Sequence, residues 1–159
     1  MVDVDGVISL FAGAAGPRER RAEEGRWHSI DGMVHFLSWG AAAHLLALAE
    51  DYELVWASGW EERADEHLPH LLGLPAGLPF LRFERAVGRA NAHWKLDAID
   101  AYAAGRPLAW IDDALGPACE VWASARAAPT LLVQTDPELG LTSAEAELLR
   151  SWAHSLRAR

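Results

Sequence analysis

One cysteine, Cys119, is all that the 159-residue sequence offers, which excludes an intrachain disulfide framework and a cysteine-rich zinc site. Long apolar runs are also missing. Nothing approaches the roughly 18 uninterrupted apolar residues of a membrane span, and no basic stretch with an apolar run behind it opens the chain. The expectation is a soluble cytoplasmic protein with no membrane partner. Basic residues are scarce: 14 Lys and Arg stand against 23 Asp and Glu, a formal charge of −9. Such a chain has no general grip on a phosphate backbone, so coating of duplex nucleic acid is excluded while a small phosphorylated substrate is not. There is no GxxxxGK[ST] loop, which removes the usual ATPase reading. The seven histidines form no H-E-x-x-H. His67 and His70 share a helix face and His28 and His35 flank a loop, without a third ligand in register, so they read as structural or solvent-facing.

What is present is a chain of one-domain length with 51% hydrophobic residues and eight tryptophans. Short apolar runs at 1–4, 54–57, 79–83, 108–111 and 130–133 read as buried parallel strands, which lack the alternation of half-exposed ones. Between them lie helical patterns. Val34, Leu37, Ala41, Leu45 and Leu48 predict an amphipathic helix over about 33–50. Further helices are expected at 60–72, with Pro69 kinking or ending it, at 94–104 and at 115–125. The last opens on a Thr142-x-x-Glu145 capping box. Five strands with helices between them predict an α/β sandwich covered on both faces. The stretch 12–32, with Gly13, Gly16 and Gly25 among its residues and a charge run from Arg18 to Glu24, reads as a long surface loop or small hairpin of the kind that forms a lid.

The informative feature is where polar residues fall. Asp3 and Asp5 end the first strand, Ser58 the second, and Asp112 with Asp113 the fourth, while Lys95 sits in the first turn of the helix after the third. Ligands of open α/β sheets bind outside the carboxyl ends of the strands. Four carboxylates converging there need a hard cation, and oxygen ligands select Mg²⁺. A lysine and a hydroxyl beside such a site suit a phosphoryl group.

On these residues the chain resembles the haloacid dehalogenase (HAD) superfamily of phosphotransferases. Asp3-Val4-Asp5-Gly6-Val7 matches its D-x-D-G motif, Ser58 in Trp56-Ala57-Ser58-Gly59-Trp60 its strand-ending Ser or Thr, Lys95 its lysine, and Asp112-Asp113 its acidic pair. Over its whole length it is similar to the small uncapped HAD domains of bacterial RNA-repair proteins, through the Trp56 to Trp60 run, His93-Trp94-Lys95-Leu96, and Thr135-Asp136-Pro137 through Leu141-Thr142. The resemblance implies a three-layer Rossmann-like sandwich with a five-stranded parallel sheet in the order 3-2-1-4-5. It also implies a single domain over 1–159, with a small flap at about 9–32 and no large cap. It makes Asp3 the nucleophile and Asp5 the acid and base. Asp3, the backbone carbonyl of Asp5 and Asp112 would be Mg²⁺ ligands, with Asp113 either a further ligand or the residue that orients Lys95. The partner it implies is a phosphorylated substrate such as a nucleotide or polynucleotide end, met by Ser58, Gly59 and Lys95.

Several readings stay open at this stage. Arg85 or Arg89 replaces Lys95 if its helix begins earlier. Ser58 doubles as a helix N-cap, and Asp136 before Pro137 is most simply a turn residue. Trp60 and Trp27 either stack on a flat leaving group or pack the lid against the body. The strand before Asp3 has only Met1 and Val2, so either its start lies upstream or a short segment suffices. A phospho-accepting signalling module and a binding domain that kept the fold without the chemistry are the competing functions.

Overall fold

Successive residues of an extended segment face opposite ways, and here that alternation divides the core in two. Val2, Leu54, Trp56, Ala109, Ile111 and Val133 belong to one buried cluster, whereas Val55, Ala57, Leu108 and Trp110 belong to a second. The structure, a computed structural model, describes residues 1–11, 22–84 and 91–158. Along the chain its elements are β1 (Ser9–Leu10), β2 (Gly25–Ile30), β3 (Met33–Ser38), α1 (Trp39–Leu48), α2 (Glu62–Leu72), a 3-10 turn at His93–Lys95, α3 (Leu96–Ala103), β4 (Leu108–Asp112), α4 (Pro117–Ala125), β5 (Thr130–Gln134) and α5 (Ser143–Arg157). Helices α1, α2 and α5 close the first cluster with Ala41, Leu45, Leu48, Ala64, Leu68 and Leu149. Helices α3 and α4 close the second with Ile99, Ala103 and Cys119.

The expected five-stranded parallel sheet is not formed. There are two separate sheets: an antiparallel one of three strands in the order β1-β3-β2, and a parallel pair, β4-β5. The segments at Val2, Trp56 and Phe80 contribute only isolated parallel bridges, Val2 to both Trp56 and Ile111, and Trp56 to Phe80. Local chemistry cuts each of them short. Behind Val2 the chain turns at once, as the N–H groups of Ile8 and Ser9 both donate to the Val4 carbonyl. Behind Trp56 the Ser58 carbonyl accepts from Glu61 N–H at 3.0 Å, again a turn. Pro79 has no N–H to extend a ladder, and the Phe83 N–H is diverted to the Glu61 carboxylate at 2.9 Å. Short as it is, the first segment is bonded on both sides, through Val2 N–H to Val55 and Asp3 N–H to Ile111.

The helix expected over 33–50 is also corrected. Residues 33–38 are strand β3, paired along its whole length with β2, and the helix starts only at Trp39. Asp31 and Gly32 carry φ of 51° and 79°, the geometry of a two-residue hairpin turn. Ser38 then caps α1 by accepting the Ala41 N–H. At the other end, α5 opens on the expected capping box of Thr142 and Glu145. Pro69 lies within α2, near its end, and Gly73 in the left-handed region closes that helix.

Candidate active site

Three segments end on one side of the molecule: Asp3 follows the Val2 bridge, Ser58 follows the Trp56 bridge, and Asp112 ends β4. They line a single cavity of about 390 Å³ together with Asp5, Gly59, Trp60, Lys95 and Asp113. Turns rather than long strands set this edge, so the side chains are held by hydrogen bonds within the turns. Asp3 Oδ1 accepts the N–H of Val4 at 2.7 Å, and Asp112 Oδ1 accepts that of Ala114 at 2.9 Å.

Lys95 joins the two carboxylates. It ends the 3-10 turn and is 3% exposed, with Nζ 2.7 Å from Asp3 Oδ2 and 2.7 Å from Asp112 Oδ2. Burial pulls the ammonium pKa down, but the carboxylates of Asp3 and Asp112 outweigh it and hold Lys95 above the ordinary lysine value. Asp113, half-buried, brings a third carboxylate, and one oxygen of each of the three lies within 4.8 Å of the others. A single ammonium leaves two negative charges in this group uncompensated. Burial, and then the charge of Asp3, push both Asp112 and Asp113 up to about 6. An all-carboxylate donor set with excess negative charge fits a hard divalent cation such as Mg²⁺, which accepts few protein ligands and keeps its waters.

Gly6 makes the group possible. Its φ is +70°, and a Cβ there would stand 2.4 Å from Asp113 Cγ. Thr135, just past β5, donates its hydroxyl to the Gly6 carbonyl at 2.9 Å, tying the parallel pair to the first turn.

Asp5 stands apart from the three. Its Oδ2 accepts the indole N–H of Trp60 at 3.2 Å, and its Oδ1 lies 3.9 Å from His35 Nδ1. His35 comes from β3, meets Ser9 Oγ at 2.9 Å, and stands edge-on to Trp60 with ring centroids 4.8 Å apart. The antiparallel hairpin therefore supplies one wall of the cavity, to which Met33 also belongs. Ser58 is 1% exposed and accepts the Trp60 N–H on Oγ at 3.4 Å. It does not cap α2, whose N-cap residue is Glu61.

Trp27 is not brought to the cavity. It lies on β2, 49% exposed, with its ring 5.2 Å from that of Phe36. Arg85 and Arg89 fall outside the described residues. Asp136 is a turn residue, its Oδ1 accepting Glu138 N–H at 2.8 Å. The cavity also includes residues that sequence reasoning did not single out as site groups: Asn91, Trp94, Arg63, Phe11 and Met33. Asn91 Oδ1 is buried without a hydrogen-bond partner among the described residues. Nothing in its local sequence marks it, whereas Trp94 adjoins the lysine and its role as a wall was accessible.

Comparison with known proteins adds one finding. The profile of the family described as "HAD domain in Swiss Army Knife RNA repair proteins" matches residues 1–146. No curated protein and no solved structure matches the chain. The match spans most of the sequence, and the chain belongs to that family of HAD domains.

Proposed function

We propose that the chain is a Mg²⁺-dependent phosphomonoester hydrolase that works through an aspartyl-phosphate on Asp3. The observation that carries this reading is the buried Lys95 ammonium, 2.7 Å from both Asp3 and Asp112, with Asp113 alongside. A carboxylate held between the backbone N–H of Val4 and an ammonium is aimed but not neutralised, as a nucleophile must be. Asp3 attacks phosphorus while the bond to the ester oxygen breaks, and Asp5 passes a proton to that oxygen. Asp5 then takes a proton from the water that cleaves the acyl-phosphate. Lys95 and Ser58 meet the equatorial oxygens of the phosphoryl group. Asp3, Asp112, Asp113 and the Asp5 carbonyl would hold Mg²⁺, which when bound neutralises charge on the transferring group.

The leaving-group side opens toward Gly59, Trp60 and Met33 of the β2–β3 hairpin, whose first strand falls in the flap region at about 9–32, in a single domain without a large cap. An open site suits a bulky ester, and the family description, which concerns RNA-repair proteins, favours a nucleotide or polynucleotide end. A cytoplasmic setting accords with one buried, unpaired cysteine. Among the described residues no helix is long and apolar enough to cross a membrane.

The test is release of phosphate from an aryl phosphate with Mg²⁺ present. Asp3→Asn should lose at least about a thousandfold in kcat with an unchanged circular dichroism spectrum. Normal turnover by that variant removes Asp3 as the nucleophile.

A further inference from the structure

Asp5, as the acid of the reaction proposed above, must have its carboxyl group over the ester oxygen, yet it lies outside the lysine-held carboxylates. We infer that Trp60 positions Asp5 through its indole N–H, and that the turn from Ser58 to Glu61 thereby couples the phosphate end of the site to its proton donor. This inference rests on the hydrolase reading and adds a role to a residue two places beyond Ser58.

The geometry is specific. Trp60 is 4% exposed, and its Nε1–H donates to Asp5 Oδ2 at 3.2 Å. A buried indole N–H finds a partner where it can, and here the partner is a carboxylate 55 residues away in sequence. The ring cannot swing freely. His35 meets it edge-on at 4.8 Å, and the Arg63 guanidinium stands 6.0 Å from its centroid. The backbone beneath is equally determined: Trp60 N–H reaches Ser58 Oγ at 3.4 Å, and Glu61 N–H reaches the Ser58 carbonyl at 3.0 Å. Glu61 sits at φ +49°, a conformation costly for a residue with a Cβ. Its carboxylate accepts the Phe83 N–H at 2.9 Å, which holds the turn in that form. A strained turn maintained by outside contacts places the indole where Asp5 needs a donor.

Oδ1 of Asp5 is buried beside His35, so Oδ2, held by the indole, is the carboxylate oxygen on the cavity side that passes the proton to the leaving group. The proton moves from Asp5 to the ester oxygen as its bond to phosphorus breaks, so misplacing Asp5 matters most when that oxygen is a poor leaving group. An alkoxide must be protonated as it departs; a p-nitrophenolate departs without help. Trp60→Phe keeps the aromatic bulk and removes the donor. In the full chain with Mg²⁺, its kcat/KM should fall at least tenfold further on an alkyl phosphate such as glycerol phosphate than on p-nitrophenyl phosphate. Replacing the indole by its benzothiophene isostere, which has sulfur in place of N–H, should give the same ratio with the shape intact. It also covers the case in which Trp60→Phe fails to fold. A separate readout is the Trp60 indole proton in NMR spectra, identified by its loss in Trp60→Phe, which should move upfield in Asp5→Ala. Equal losses on both esters, or an isostere that behaves as wild type, would overturn the positioning role. Asp3→Asn run alongside separates the two questions, because its failure to abolish hydrolysis of both esters overturns the reaction itself.

Discussion

Lys95 reaches Asp3 and Asp112, and Asp113 is left beside them as added negative charge. Its carboxyl is raised from 3.8 to about 6 by burial and by Asp3, so the folded state holds a proton that the unfolded chain gives up. Stability is therefore fully present below about pH 4 and is lost as pH rises through 6. A fully shielded group with that difference would cost about 3 kcal/mol at neutral pH; for half-exposed Asp113 about 1 kcal/mol remains. Asp113→Asn should accordingly stabilise the cation-free protein at pH 7 by that amount and leave it unchanged at pH 4, as read by thermal denaturation at the two values. Equal effects at both would mean that the carboxylate carries no such penalty. Gly6 argues the opposite case. Gly6→Ala must adopt φ +70° and displace the Asp113 carboxylate, so it should cost about 2 kcal/mol and weaken the Mg²⁺ dependence of hydrolysis together with stability.

At the scale of elements, what the sequence made legible was what local chemistry decides. The Thr142 capping box is local, and α5 begins where it says. Thr142→Ala should cost about 1 kcal/mol and lower Tm by roughly 3 °C for a chain of this size; no change in Tm would show that α5 is held by packing alone. Likewise Asp3, Ser58, Lys95 and Asp112 were findable because each closes a short apolar run or opens a helix, and all four line one cavity. The errors came from pairing. Val34 and Leu37 fit a helical period with Ala41 and Leu45, yet 33–38 gains a full ladder with β2 through an Asp31-Gly32 turn, and tertiary pairing outweighs periodicity in a segment with two edges to satisfy. The apolar runs at 1–4, 54–57 and 79–83 promised strands, but each is cut to isolated bridges because turns, and Pro79 with the Glu61 carboxylate, end the pairing on either side of them. The link from Trp60 to Asp5, and His35 beside it, were invisible for the same reason: they exist only once a hairpin lies against a turn more than twenty residues away in sequence.

For the whole molecule the governing quantity is the charge of −9. If the ester is a polynucleotide end, protein and substrate repel each other at long range, and the attraction must come from Lys95, Ser58 and a bound cation at the terminal phosphate itself. Proteins that hold a nucleic-acid backbone lose affinity steeply as salt rises, because each neutralised phosphate releases counterions. Here the long-range term has the other sign, and salt screens it over about 10 Å at 0.1 M. With Mg²⁺ held constant, raising monovalent salt from about 50 to 200 mM should therefore leave KM for a phosphate-terminated oligonucleotide unchanged or lower it, where several backbone contacts would raise it a thousandfold or more. Lengthening the oligonucleotide from two to twenty residues should not tighten binding either, since added phosphates gain no net attraction from a chain of charge −9. A KM that climbs tenfold with salt, or falls tenfold with length, would place a cationic surface on the chain, and the arginines at 18, 20 and 21 would be the first to replace.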